Sequence, residues 1–113
     1  MRTSILVVEN HADLRAEIVA ALQRENFDCE GVSNGSAALL KIREHDYGYI
    51  LVDVDEPTAA TALYESCAAN GTLNRIVLIT EADDLRDMPE SASACSLLRK
   101  PFDTKELLAR IVR

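Results

Sequence analysis

Five short apolar runs recur along the chain, each followed by a stretch patterned as a helix, and this alternation constrains the fold more than any other feature. The runs are Ile5–Val8, Cys29–Val32, Tyr49–Val54, Ile76–Ile79 and Cys95–Leu98. The helical stretches are 12–25, Ala37–Arg43, Thr58–Ala69, an irregular segment at 82–92 and Asp103–Val112. Leu14, Ile18 and Leu22 recur four apart and mark one face of the first helix. Asn34-Gly35 reads as a turn, and Asn70-Gly71 as a helix stop. Pro89 falls where the fourth helix should run, so that helix is expected to be short or irregular. Asp103, with Glu106 three residues later, is a variant of the capping box. The apolar runs lack polar–apolar alternation, which predicts burial on both faces. Strands of that kind, alternating with helices, predict an α/β fold: a five-stranded parallel sheet with helices on both sides.

The 113 residues suit one domain, expected to span 1–113. A hydrophobic fraction of 48% is too high for a disordered chain. The charge of −7 argues against non-specific binding to nucleic acid or an anionic membrane. No run approaches the length of a membrane span, and the apolar stretch at 5–8 is too short for a signal peptide. Cys29, Cys67 and Cys95 are widely spaced in apolar contexts, so buried free thiols in a reducing cytoplasm are expected.

In an open parallel sheet, ligands bind beyond the carboxyl ends of the strands, where the strand order reverses. The residues following each apolar run therefore matter most. Glu9 and Asn10 follow the first. Asp53 ends the third, ahead of Val54, Asp55, Glu56 and Pro57. Thr80 follows the fourth, and Lys100-Pro101 the fifth. Taken singly, each has a plain structural role: Thr80 as a helix cap, Lys100 as a loop lysine, Glu9 as a solvated acid. Taken together, they bring carboxylates, a hydroxyl and a lysine to one edge. Clustered carboxylates suit Mg²⁺. A carboxylate can act as nucleophile toward phosphorus, and a cation and hydrogen-bond donors stabilise the transferred group.

The segments "ILVVEN", "ILVDVDEP", "IVLIT" and "LLRKPF" resemble, in order, the motifs of two-component response-regulator receiver domains. The resemblance covers 5 to 112. Its most specific parts are the Asp53-to-Pro57 spacing and Lys100-Pro101-Phe102 about 20 residues after Thr80. It implies a flavodoxin-like (βα)5 fold with strand order 2-1-3-4-5. It also implies that Asp53 is the phosphoacceptor. Glu9, Asn10, Asp53 and the backbone carbonyl of Asp55 would hold Mg²⁺, with Thr80 and Lys100 on the phosphoryl group. The implied donor is a histidine kinase or histidine phosphotransferase. The implied output is altered binding to a downstream protein of unknown identity, by a monomer or weak homodimer. Neither nucleic acid nor membrane is expected as a partner of this domain, and no enzymatic activity beyond self-catalysed phosphorylation and dephosphorylation.

Several positions depart from that pattern. Asn10 stands where receivers usually carry a second acid, and loss of that charge costs on the order of a few kcal/mol of cation binding before screening. Weakened Mg²⁺ binding and slower phosphorylation are expected. Glu81 follows Thr80, where a small residue is usual; it either shields Asp53 or faces solvent. Leu97 occupies the position of the usual switch aromatic. Thr58-Ala59-Ala60-Thr61 replaces a glycine-containing loop. His11 and His45 read as surface histidines at helix ends. Phe27, Tyr47, Tyr49 and Phe102 are expected at sheet edges. A degenerate receiver, acting as a phosphorylation-independent interaction module, is the alternative that Asn10, Glu81 and Leu97 favour. Asp53-Val54-Asp55 also resembles the nucleophile motif of haloacid-dehalogenase-type phosphatases. Pro57 and the position of the motif on the third strand count against that reading.

Overall fold

Each apolar run becomes a strand, because β-branched residues fit a pleated surface that is covered on both sides. The computed structural model describes residues 3–53, 65, 66, 69, 71, 75–80, 96–100 and 102–111, without the side chains at 80, 96 and 97. Its elements run β1 (Ser4–Val8), α1 (Ala12–Arg24), β2 (Asp28–Val32), α2 (Gly35–Glu44), β3 (Tyr49–Asp53), β4 (Ile76–Thr80), β5 (Ser96–Arg99) and α3 (Thr104–Ile111). All pairings are parallel, in the order β2-β1-β3-β4-β5, as expected. The order reverses between β1 and β3.

Residue parity along the strands sorts the core into two layers. Leu6, Val8, Ile50, Val52, Ile76 and Leu78 pack on the side of α2, around Ala38. Ile5, Val7, Leu51, Val77, Ile79 and Leu98 pack on the other side, against Ile18 and Leu22 of α1 and Leu107 and Ile111 of α3. Tyr47 departs from its expected place at a sheet edge: it is buried in the α2 layer. Phe27, Tyr49 and Phe102 are half-buried around the other layer. Strand β2 lies at an edge and is correspondingly polar, with Asp28 and Glu30 exposed.

Helix ends refine the sequence reading. Asn34-Gly35 opens α2 two residues before the expected start. Asn34 is its N-cap, and its side-chain oxygen accepts from the Ala37 N–H at 2.8 Å. A turn and an N-cap draw on the same asparagine chemistry, hence the ambiguity. Asp103 caps α3 as expected, accepting from the Glu106 N–H at 2.8 Å. Helix α1 stops at Asn26, which takes the left-handed conformation at φ 68°. The Phe27 N–H then reaches the Leu22 carbonyl at 3.1 Å, and the Asn26 N–H the Gln23 carbonyl at 3.1 Å. That is the Schellman arrangement, with asparagine where glycine is usual. His11 and His45 are exposed at helix ends, as expected.

Glu65, Ser66 and Ala69 are helical, and Gly71 has φ +69°. These fit the expected helix and its stop. The remainder of that helix, the loop from Val54, the expected fourth helix with Pro89, Glu81, Cys67 and Cys95 lie outside the described residues. Cys29 is a free, half-buried thiol, pushed up to about 12 by burial and by the charge of Glu30. No helix among the described residues is long and apolar enough to cross a membrane.

Candidate functional site

Strand register sets the site. Val8 pairs with Val52, so Glu9 and Asp53 come level on adjacent strands at the switch point. Asp53 pairs with Ile79, and Ile79 with Leu98, two residues before Lys100. Glu9, Asp53 and Lys100 also share the parity of Val7, Leu51 and Leu98. All three therefore belong to the side of the sheet covered by α1 and α3.

The three charges meet. Lys100 Nζ lies 3.0 Å from Asp53 Oδ2 and 3.9 Å from Glu9 Oε1. Glu9 is 1% exposed and Asp53 6%, so both carboxylates sit largely out of water. Charges are rarely buried like this without a specific partner. Both oxygens of Glu9 are buried without a hydrogen-bond donor. Burial pushes Glu9 up to about 8, and the Asp53 carboxylate beside it acts in the same direction; Lys100 and the His11 main-chain N–H pull it down. A proton shared between Glu9 and Asp53 adds a hydrogen bond between the two carboxyl groups.

The β1–α1 loop is held by its backbone. The Glu9 N–H donates to the Val32 carbonyl at 3.0 Å, continuing the β1–β2 ladder one residue further. The Glu9 carbonyl accepts from the Arg15 guanidinium at 2.9 Å. Asn10 is exposed beside it. Thr80 is the last residue of β4 and pairs with Arg99. Its side chain and all of Asp55 lie outside the described residues.

The orphaned buried oxygens of Glu9 test whether Mg²⁺ fits. A buried carboxyl group short of hydrogen bonds is satisfied by a proton or a cation, and the donor set of two carboxylates and an amide oxygen is hard, as Mg²⁺ demands. The residues present fit, although no group of three or more acids, histidines or cysteines able to hold a metal occurs among the described residues. Asn10 stands where a third acid would complete such a group.

The sequence reading missed Arg15. A cation near a helix N-terminus opposes the helix dipole, which signals a specific partner. Gly31, isolated inside a strand, signals close approach of another group. A Cβ there would lie 2.9 Å from Arg15 Cγ.

A doubly wound α/β sheet with a buried carboxylate pair and a lysine at its switch point is the class that fold and site define. The family model described as the response regulator receiver domain matches residues 5–112, and the chain belongs to that family. It is thus a receiver, a signalling domain of two-component response regulators. The transcriptional regulatory protein CutR of Streptomyces coelicolor is 31% identical over 110 residues, covering 95% of this chain and 51% of that protein. Response regulator ArlR of Staphylococcus saprophyticus is 33% identical over 112 residues, covering 96% and 50%. The chain spans about half the length of the curated relatives it matches. The solved chemotaxis protein CheY4 of Vibrio cholerae superposes with a TM-score of 0.84 at 20% identity, covering 99% of this chain and 100% of that one. Response regulator TrrA of Thermotoga maritima, solved in complex with Mg²⁺-BeF, gives 0.83 at 23% identity, covering 96% of each chain. These two likenesses bear on the fold.

Proposed function

We propose that the chain accepts a phosphoryl group on Asp53 from a phosphohistidine of a kinase or phosphotransferase, and that the modified domain binds a downstream protein differently. The observation that carries this reading is the Lys100–Asp53 contact at 3.0 Å in a buried pocket beside Glu9. An Asp53 oxygen attacks phosphorus, the P–N bond to the donor histidine breaks, and that nitrogen leaves with the bonding pair. Lys100, already at Asp53, stabilises charge on the transferred oxygens. Burial keeps competing water from the acyl phosphate. Glu9 and Asp53, with the side-chain oxygen of Asn10 and the main chain at Asp55, are the groups that would hold Mg²⁺. When bound, Mg²⁺ offsets the negative charge of the acids and the incoming phosphoryl group. Thr80, at the end of β4, is the proposed hydrogen-bonding partner of that group. Family membership supports a cytoplasmic location.

Asn10 favours a second reading, in which the fold is kept and phosphorylation is slow enough for the domain to act mainly as an interaction module. One measurement separates the two. The protein is incubated with Mg²⁺ and a small phosphodonor, and intact mass is recorded for the wild type and Asp53→Asn. A phosphoryl adduct confined to the wild type supports the acceptor reading. Absence of any adduct at high Mg²⁺, and no response to beryllofluoride, overturns it in favour of the second.

A further inference from the structure

We propose that Arg15 is a positioning residue for cation binding: lying over Gly31, it fixes the Glu9–Asn10 peptide and with it the direction in which Asn10 presents its side chain. This rests on the reading of Glu9 and Asn10 as cation ligands. The Glu9 carbonyl and the Asn10 N–H belong to one rigid peptide plane. The preceding peptide, Val8–Glu9, is anchored by the Glu9 N–H bond to the Val32 carbonyl at 3.0 Å. The Arg15 guanidinium holds the Glu9–Asn10 plane itself, 2.9 Å from the Glu9 carbonyl oxygen. Direction matters more for an amide than for a carboxylate. A carboxylate offers two equivalent oxygens, whereas asparagine offers one oxygen and an NH₂ that a cation rejects. A rotated peptide at Asn10 would therefore forfeit a ligand that an aspartate would keep.

Gly31 makes the arrangement possible. A Cβ at that position would meet Arg15 Cγ at 2.9 Å, Arg15 Cδ at 3.0 Å and Val19 Cγ2 at 3.2 Å. These are atoms in the middle of the Arg15 stem, so a side chain at 31 displaces the guanidinium without removing it. The alternative role for Arg15 is simple repulsion, since a fixed positive charge near a divalent cation weakens its binding. Positioning and repulsion predict opposite signs.

The test is a Mg²⁺ titration of the 113-residue chain, followed by the ¹⁵N–¹H resonances of Glu9 and Asn10, with thermal unfolding in parallel. Arg15→Met and Gly31→Ala are expected to weaken Mg²⁺ binding by about three- to tenfold, the equivalent of one hydrogen bond. Arg15→Lys, which keeps a donor and the charge, recovers most of the affinity. Unchanged or tighter binding in Arg15→Met overturns the proposal, as does wild-type binding in Gly31→Ala or a loss that merely tracks unfolding temperature. If Arg15→Met does not fold, Gly31→Ala decides. A wild type whose resonances do not respond to Mg²⁺ overturns this inference together with the reading beneath it; a responsive wild type with equally responsive variants overturns the inference alone.

Discussion

Lys100 and Asp53, 47 residues apart in sequence, are joined by a 3.0 Å contact between the ammonium and a carboxylate oxygen. Glu9 lies beyond, its Oε1 3.9 Å from the same ammonium. One cation thus serves two buried acids, and the balance among the three governs both stability and chemistry.

Removing that cation should be costly at high pH. Lys100→Met is expected to destabilise the metal-free protein by about 3 kcal/mol at pH 8. At pH 6 the loss is smaller, because a proton shared by Glu9 and Asp53 replaces the ammonium. Adding Asp53→Asn to Lys100→Met should recover most of the difference. Urea unfolding of the single and double variants measures the coupling directly; additive effects would contradict the shared pocket.

Glu9 makes a separate, signed prediction. Its carboxyl is pushed from 4.5 up to about 8 by burial and by Asp53. Folding therefore favours its protonated form. That contribution is full below about 4.5 and is lost as pH rises through about 8. Glu9→Gln lacks the ionisation, so in chelator its stability advantage over wild type grows with pH. By pH 8.5 the advantage should reach about 1–3 kcal/mol. Denaturation midpoints at three pH values check this, and a difference that does not vary with pH would refute it. The same variant should lose Mg²⁺ binding.

Placing an acid at position 10 should act in the opposite sense on stability. Asn10→Asp adds negative charge beside Glu9 and Asp53. Mg²⁺ binding is expected to tighten by about tenfold or more, with faster adduct formation from a small phosphodonor. The metal-free protein should become less stable. Titration, mass spectrometry and unfolding in chelator test the three parts.

Asn26 offers a prediction independent of the site. It holds φ 68° at the end of α1, where glycine carries no Cβ penalty. Asn26→Gly should stabilise the fold by about 0.5–1 kcal/mol and raise the unfolding midpoint by about 2–6 °C. Mg²⁺ affinity should not change.

The sheet was legible in the sequence because every strand but the polar edge strand β2 is centred on an apolar run, and a polar residue after each run marks the carboxyl edge. Glu9, Asp53 and Lys100 could be gathered in advance for that reason, and the structure brings them within contact distance. Burial of Tyr47 was not legible: an aromatic before a strand carries no signal of which layer will take it. The end of α1 was legible to within one residue, although asparagine stands where a glycine usually announces the stop. The contact of Arg15 with the Glu9 carbonyl left only indirect traces, a cation at the wrong end of a helix and a glycine inside a strand. Their connection is tertiary, between a helix and an edge strand. Glu81, Leu97 and Asp55 remain readings of the family pattern.

The parity of the strands has a consequence for how such a chain can change over time. Glu9, Asp53 and Lys100 point to the same layer as Val7, Leu51 and Leu98. Inserting or deleting one residue within β3 would turn Asp53 to the opposite layer, and would also turn the strand's hydrophobic residues over. The chemistry is therefore in frame with the core. A length change that disarmed the pocket in this way would also break the fold, so mutation can erode this site through side-chain exchange far more readily than through insertion or deletion in the strands.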